Sequence, residues 1–374
     1  MEIKVEALTL KYGDNVAVRD LDLDIGEGES VVLLGQSGCG KTSTMRCIAG
    51  LETPTTGRIT VGDNVLFDAS TGVNRPSHKR NIGMVFQSYA IWPHMTVFEN
   101  VAFPLQMQRS SKADTRKRVL ETLELVGLEE FADRGASMLS GGQMQRVALA
   151  RSVVMQPSIM LLDEPLSNLD ARLRHRLRGD LRELQQRLGL TSVYVTHDQE
   201  EALALADRIA MMQHGRIVQI GTPDEIYGRP RSASIADFLG VGNILDVEAV
   251  DSTHVRLAGA DFTLRVPAYE KATQLRAAIR GEDVLTADDR PDGNIITGHV
   301  LTREFLGASA IYRVEIAPGV QIEVYGSKHR PLRGGEGQEV RLSIDVDAIQ
   351  VLPLDVDDLP PADVPTTAHA EVAA

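Results

Sequence analysis

The chain has 374 residues, 43% hydrophobic and 24% charged, with a net charge of −13. That length gives room for two domains with separate cores, and the acidic balance argues against nucleic acid as a bulk electrostatic partner. No apolar run approaches the ~20 residues of a membrane span, and residues 1–5 lack the basic and apolar regions of a signal peptide. Any role at a membrane is therefore expected from its surface, through a partner.

Residues 3–10 roughly alternate and read as a strand. Tyr12 and Gly13 follow, then more strand-like sequence to Ile25 and a turn at Gly26-Glu27-Gly28. The apolar run 30–34 leads into Gly35-Gln36-Ser37-Gly38-Cys39-Gly40-Lys41-Thr42, and residues 42–49 read as a helix. Strand, glycine-rich loop and helix form the setting of a phosphate-binding loop. The glycines let backbone N–H groups turn inward around phosphate oxygens, and the helix points its positive end at the same anion. Lys41 would reach the β- and γ-phosphates of a nucleotide, and the Thr42 hydroxyl would ligate Mg²⁺. Cys39 and Cys47 are the only cysteines. Eight residues of helix would separate them by about 12 Å, too far for a disulfide. Cys39 reads as a small filler of the loop, and its alkylation should block nucleotide binding sterically.

Residues 58–67 return to short strands after Pro54 and Gly57, and a polar stretch ends in a strand at 82–86, followed by Gln87. From about 88 to 157 strand signals are absent. Residues 97–107 and 113–126 read as helices, and a third begins after Ser140-Gly141-Gly142, so this stretch reads as a helical insertion. The apolar strand 158–162 ends in Asp163-Glu164-Pro165. In the helix expected over 171–188, Leu173, Leu177, Leu181, Leu184 and Leu188 form one apolar face. The other face carries Arg172, Arg174, Arg178, Arg182 and Arg187 and is expected to be solvated. A last strand, 192–196, ends at His197. Alternating strands and helices imply a mostly parallel sheet, with ligands beyond the carboxyl ends of its strands. Lys41, Gln87, Asp163 and His197 all follow such ends. One carboxylate of the Asp163-Glu164 pair can support Mg²⁺ while the next orients or deprotonates an attacking water.

With these residues in order, the chain resembles the nucleotide-binding subunits of ATP-binding cassette (ABC) transporters. The family signature is matched by Leu139-Ser140-Gly141-Gly142-Gln143, the Q-loop by Gln87, the D-loop by residues 166–170 and the switch histidine by His197. Met144 follows the signature where many relatives carry a polar residue. The resemblance implies an α/β P-loop NTPase that binds and hydrolyses ATP with Mg²⁺. Tyr12 would stack on adenine, and residues 37–43, including Ser43, would wrap the phosphates. Gln87 and Asp163 would support Mg²⁺ with Thr42. Glu164 would be the catalytic base, with His197 and Gln87 steadying the γ-phosphate and the water. Ser140, Gly141, Gly142, Gln143 and Asp170 would serve the nucleotide bound by a second copy in a head-to-tail homodimer.

Residues 243–352 contain many short strands separated by Gly turns, and read as an all-β domain, a small barrel. Residues 221–227, Phe238-Leu239-Gly240, Asn243, residues 279–282 and Phe305-Leu306-Gly307 resemble the C-terminal OB-like (TOBE-type) barrel of importer ATPases. The expected domains are 1–238, 239–354 and a disordered acidic tail, 355–374, with five acids and no Lys or Arg. The resemblance further implies an importer ATPase at the cytoplasmic face of the inner membrane. It would work with two transmembrane permease subunits and, through them, an extracytoplasmic solute-binding protein. Residues 87–100 would grip the permease, with Tyr89, Ile91, Trp92, Pro93 and Met95 supplying apolar surface. The region after Phe238 resembles ferric-iron and polyamine importers more than those for sugars, sulfate or phosphonates. The rival readings are a soluble ABC ATPase, a GTPase, disfavoured because no Asn-Lys-x-Asp motif occurs, and a solute-sensing C-terminal domain.

Overall fold

A computed structural model describes residues 1–327, 331–332 and 334–356. The acidic tail expected over 355–374 lies, from residue 357 on, outside the described residues. The chain divides into two compact units, Met1–Arg229 and the residues from Pro230 on.

In chain order the first unit contains β1 (Ile3–Tyr12), β2 (Asn15–Ile25), β3 (Ser30–Leu34), α1 (Lys41–Ala49), β4 (Thr56–Val61), β5 (Asn64–Asp68), β6 (Val73–Asn74) and β7 (Ile82–Val85). Three helices follow, α2 (Val97–Met107), α3 (Lys112–Leu125) and α4 (Gly141–Val153). The chain then returns through β8 (Ile159–Asp163), α5 (Ala171–Leu188), β9 (Thr191–Thr196), α6 (Gln199–Leu205), β10 (Arg208–Gln213), β11 (Arg216–Gly221) and α7 (Pro223–Gly228).

Two sheets result. The first 74 residues contribute a separate antiparallel sheet in the order β2-β1-β4-β5-β6, which the sequence reading did not separate from the main one. The main sheet runs β11-β10-β3-β9-β8-β7 and is parallel except at the β11 edge. Three of its four inner strands, β3, β8 and β9, are buried at every position, as expected where both faces are covered. Met45, Cys47 and Ile48 of α1 share one core with Ile3, Val5 and Leu8 of β1 and Val31, Leu161 and Val193 of the main sheet. The parallel strands bring Leu34, Val85, Asp163 and Thr196 to their carboxyl ends together.

The Arg-bearing face of α5 departs from expectation. Leu177, Leu181 and Leu184 are buried as foreseen. Three of the five arginines, however, are paired within the unit: Arg174 with Asp198 at 3.1 Å, Arg178 with Glu200 at 3.0 Å, and Arg182 with Asp207 at 2.5 Å. They dock α5 onto the turn after β9, α6 and the start of β10. Basic residues four apart share a helix face, and sequence alone cannot show that acids wait opposite.

In the second unit a short helix, Ala233–Phe238, packs Ala236 against Val241 and Ala278. Two five-stranded antiparallel sheets follow. One has the order Thr263–Arg265, His254–Leu257, Asn243–Ala249, Leu275–Ile279 and Gln350–Pro353. The other has the order Val284–Thr286, Glu339–Ile344, Asn294–Phe305, Ser309–Ala317 and Val320–Ser327. Val247, Val255 and Leu275 of the first sheet meet Val300, Val314, Val324 and Leu342 of the second in one core, the barrel-like OB arrangement expected. Among the described residues no helix is long and apolar enough to cross a membrane.

Candidate active site

The loop after β3 closes on itself. Gly40, which caps α1, sits at φ +104° with the Ala17 carbonyl only 2.5 Å from where a Cβ would stand, so no other residue fits. Gln36, Ser37 and Gly38 are exposed, Gly35 is buried, and Cys39 packs into the core as the expected filler. Cys39 is 8% exposed, so alkylation requires the loop to open first. Lys41 is buried and donates to the Gly35 carbonyl at 2.7 Å and the Gln36 carbonyl at 2.8 Å. Its ammonium is thus held at the loop's mouth by two backbone dipoles. At the other end of α1, buried Arg80 donates to the Cys47 and Ile48 carbonyls at 2.8 and 2.9 Å. A cation on these last carbonyls complements the helix dipole and leaves the positive end free for an anion.

Thr42 donates to Asp163 Oδ1 at 2.9 Å, joining the two expected Mg²⁺ oxygens. Burial pushes the Asp163 carboxyl up from the usual range, opposed by the Thr42 hydrogen bond and the nearby Arg46 charge. A hydroxyl and a carboxylate are hard oxygen donors of the kind Mg²⁺ takes. Among the described residues no cluster of three or more His, Cys, Asp or Glu could hold a metal by itself. The donor set therefore fits a Mg²⁺ shared with nucleotide oxygens.

Glu164 follows at φ +44°, left-handed backbone that costs a non-glycine residue about 1–2 kcal/mol. Its amide still donates to the Val195 carbonyl of β9 at 3.0 Å, and its own carbonyl accepts from Ser167 Oγ at 2.9 Å. The sharp turn presents the carboxylate at the sheet edge, where it is held on both oxygens. Gln87 Nε2 donates to Oε2 at 3.0 Å, and His197 Nδ1 lies 3.2 Å from Oε1. The Glu164 side chain is 19% exposed and His197 is 57% exposed, so the carboxylate is open to water on the His197 side. A neutral imidazole that donates from Nδ1 keeps only an acceptor at Nε2. Contact with a γ-phosphate through Nε2 therefore requires the imidazolium or a turn of the ring away from Glu164.

Tyr12 is exposed at the end of β1, and its hydroxyl interacts with Ser43 and Glu52; burial, then the Glu52 charge, push its pKa up. The ring thus borders the start of α1, as an adenine platform must.

The signature residues are arranged differently. Ser140 caps α4 in a reciprocal box with Gln143: the Ser140 amide donates to Gln143 Oε1 at 2.9 Å, and the Gln143 amide to Ser140 Oγ at 3.4 Å. A Cβ on Gly142 would stand 3.1 Å from Leu173 and 3.2 Å from Leu177, so its glycine also lets α4 pack on α5. Asp170 caps α5, accepting from the Leu173 amide at 3.0 Å. Among the described residues no hydrogen bond joins Ser140, Gln143 or Asp170 to Lys41, Thr42, Asp163, Glu164 or His197. Within one chain these residues cap helices and stand apart from the phosphate loop and the Asp163–Glu164 turn.

Two residues not singled out from sequence join the site, and one expected at the surface is buried. Asn168 Nδ2 donates to the Gln87 carbonyl at 2.7 Å, and Ser167 Oγ lies 3.4 Å from Gln87 Nε2, so both hold the glutamine against the Glu164 carboxylate. Their place in the D-loop was the available signal. Tyr89, expected to supply surface, is 6% exposed; Ile91, Trp92 and Met95 are half-buried and Pro93 is exposed.

Comparison with known proteins agrees with this geometry. The ABC transporter family model matches residues 18–167 and the TOBE domain model residues 277–352. The chain is 48% identical over 313 residues to the Fe(3+) ions import ATP-binding protein FbpC of Rhizobium etli, covering 82% of this chain and 86% of that one. The chain belongs to the ATP-binding subunits of ABC importers. It is also 41% identical to the trehalose/maltose import ATP-binding protein MalK of Thermococcus litoralis, over 91% of this chain and 94% of that one. Identity to the spermidine/putrescine import ATP-binding protein PotA of Aggregatibacter actinomycetemcomitans is 42%, over 84% and 85%. A solved dimeric bacterial ABC transporter cassette matches with a TM-score of 0.52 and 33% identity, covering 59% of this chain and 98% of that one. As a member of this family the protein is an ATPase coupled to solute import, and it acts at a membrane as part of a transporter complex.

Proposed function

We propose that two copies of this chain sandwich two MgATP molecules head to tail, each phosphate loop facing the other copy's Ser140 and Gly142. The observation that carries the reading is the Glu164 carboxylate fixed between Gln87 and His197, beside the Thr42–Asp163 pair. Among the described residues no hydrogen bond joins signature and phosphate loop within one chain, and this, with the dimeric state of the matching cassette, supports a second copy.

In this reading Gly38, Gly40 and the start of α1 bind the phosphates through backbone N–H groups, and Lys41 leaves its loop carbonyls for the β- and γ-oxygens. Thr42 and Asp163, with Gln87 alongside, would hold Mg²⁺, which would supply charge neutralisation on the phosphates. Glu164 accepts a proton from the attacking water, whose position Gln87 and His197 fix. Tyr12 stacks on the adenine. Closure of the dimer on ATP and reopening after hydrolysis are passed to two permease subunits at the cytoplasmic face of the membrane. Residues 87–100 make that contact, and a solute-binding protein outside delivers the cargo.

Ferric iron or a polyamine is the proposed solute, supported by the likeness of the region after Phe238 and by the iron and polyamine relatives; the maltose relative keeps sugars as the alternative. The test is uptake of labelled ferric iron and spermidine in a strain whose only copy carries Glu164→Gln. Loss of one solute alone assigns it. Retention of both discards both and directs the assay to sugars. Purification without any membrane partner would contradict the transport assembly.

A further inference from the structure

The loop between Gln87 and α2 is wound unusually tightly. Tyr89 and Ala90 both have positive φ, +60° and +47°, two consecutive non-glycine residues in the left-handed region. Such conformations are costly for residues with a Cβ and persist only where the surroundings impose them. One side chain does so. Arg151, in the last turn of α4, donates from Nη2 to the Tyr89 carbonyl at 2.8 Å and from Nη1 to the Ala90 carbonyl at 2.7 Å. The same guanidinium lies 4.7 Å from the centre of the Trp92 ring, whose other neighbour is Phe103 of α2 at 4.5 Å between centroids. Trp92 is also fixed through its backbone. Its amide donates to fully buried Asn100 Oδ1 at 3.0 Å, and its carbonyl accepts from Asn100 Nδ2 at 3.1 Å.

Arg151 belongs to the helix that Ser140 caps. Eleven residues of α-helix span about 16 Å, so α4 carries the signature at one end and the Arg151 fork at the other. The neighbouring Ser152 donates to the Met84 carbonyl of β7 at 2.8 Å and pins the helix to the sheet at that point. A tilt of α4 at its signature end must then appear as a rotation beside Arg151. Lysine could not replace the fork, because two carbonyls and a ring face demand the planar guanidinium.

We propose that Arg151 is a positioning residue that locks residues 89–92 to the signature helix, so that engagement of Ser140 by ATP is transmitted to this loop. The proposal rests on the active-site reading above.

Trp92 is the only tryptophan of the chain, so its emission reports on this loop alone. The experiment uses full-length protein carrying Glu164→Gln, with MgATP as ligand, bound nucleotide measured by equilibrium dialysis and folding checked by circular dichroism. MgATP is expected to shift Trp92 emission. Adding Arg151→Met should leave ATP bound and abolish the shift, while Arg151→Lys, which keeps the charge but not the fork, should retain a reduced one. Ser140→Arg should also abolish it, since the signal enters through α4. A full shift in both Arg151 variants, a full shift in Ser140→Arg, or no shift despite bound ATP would each overturn the proposal. If Arg151→Met does not fold, the Lys variant decides alone: a full shift overturns and a reduced one supports. Absence of bound ATP in the Glu164→Gln protein would overturn the active-site reading, and the proposal with it.

Discussion

The strand ends of the first unit and two asparagines of the second handle polar groups in opposite ways. In the unit from Pro230 on, Asn243 and Asn294 satisfy backbone. Asn243, 2% exposed, donates to the Glu323 carbonyl at 2.9 Å and accepts from the Glu323 amide at 2.6 Å. Asn294 does the same with both backbone groups of Arg265, at 2.9 and 2.7 Å. In the first unit the polar residues at the strand ends lie where stability is lost. Asp163 is buried with a raised pKa, Glu164 holds a left-handed backbone, and the Lys41 ammonium is buried on its own loop. On the proposed function, the difference separates residues that hold a fold from residues kept ready for a ligand.

Substitutions should divide along the same line. The largest effect is expected for Lys41→Ala, which should abolish tight nucleotide binding while the protein stays folded; unchanged ATP affinity by dialysis would remove Lys41 from the site. Gly142→Ala should lower hydrolysis strongly with stability changed by no more than about 1 kcal/mol, because the helical gain of alanine offsets crowding of Leu173 and Leu177. Normal turnover in that variant would assign the glycine to packing alone. Asn243→Ala should cost about 1–3 kcal/mol in denaturant unfolding of the second unit, since it strands part-buried backbone groups of Glu323. ATP hydrolysis should be unchanged, and loss of it would show that the contrast between the units is too sharp.

The smallest effect concerns Asp163. Burial raises its pKa above the unfolded value, so the native state holds the proton more tightly and stability falls as pH rises through that window. Above the window the whole cost is present. Asp163→Asn should therefore raise the melting temperature of nucleotide-free protein at pH 7, with the gain disappearing below about pH 4. A lower melting temperature at pH 7 would mean that Asp163 is held for stability rather than for a cation.

The same contrast explains what the sequence made legible. At the sheet edge the chemistry needs particular residue types at fixed spacing, so Gly40, Lys41, Thr42, Asp163, Glu164 and His197 could be named from pattern and found together. The helical insertion was equally readable from the absence of strand signals over 88–157, and in the structure α2 and α4 each begin at a reciprocal capping box, Thr96 with Glu99 and Ser140 with Gln143. What remained hidden depends on partners distant in sequence. The acids opposite Arg174, Arg178 and Arg182, the separate antiparallel sheet of the first 74 residues, and the Arg151 fork on residues 89 and 90 arise from packing, which no local spacing encodes. In the second unit alternation revealed strands, but the division into two sheets follows from long-range pairing such as that of Asn243–Ala249 with Leu275–Ile279.

The central claim is that Glu164, held between Gln87 and His197, is the base that spends ATP. Its most direct test is to measure ATP binding and ATP hydrolysis on the same samples of wild-type and Glu164→Gln protein. The account predicts retained binding, a persistent ATP-bound dimer and hydrolysis slowed by about 10²-fold or more. Hydrolysis at the wild-type rate, with ATP bound, would contradict it.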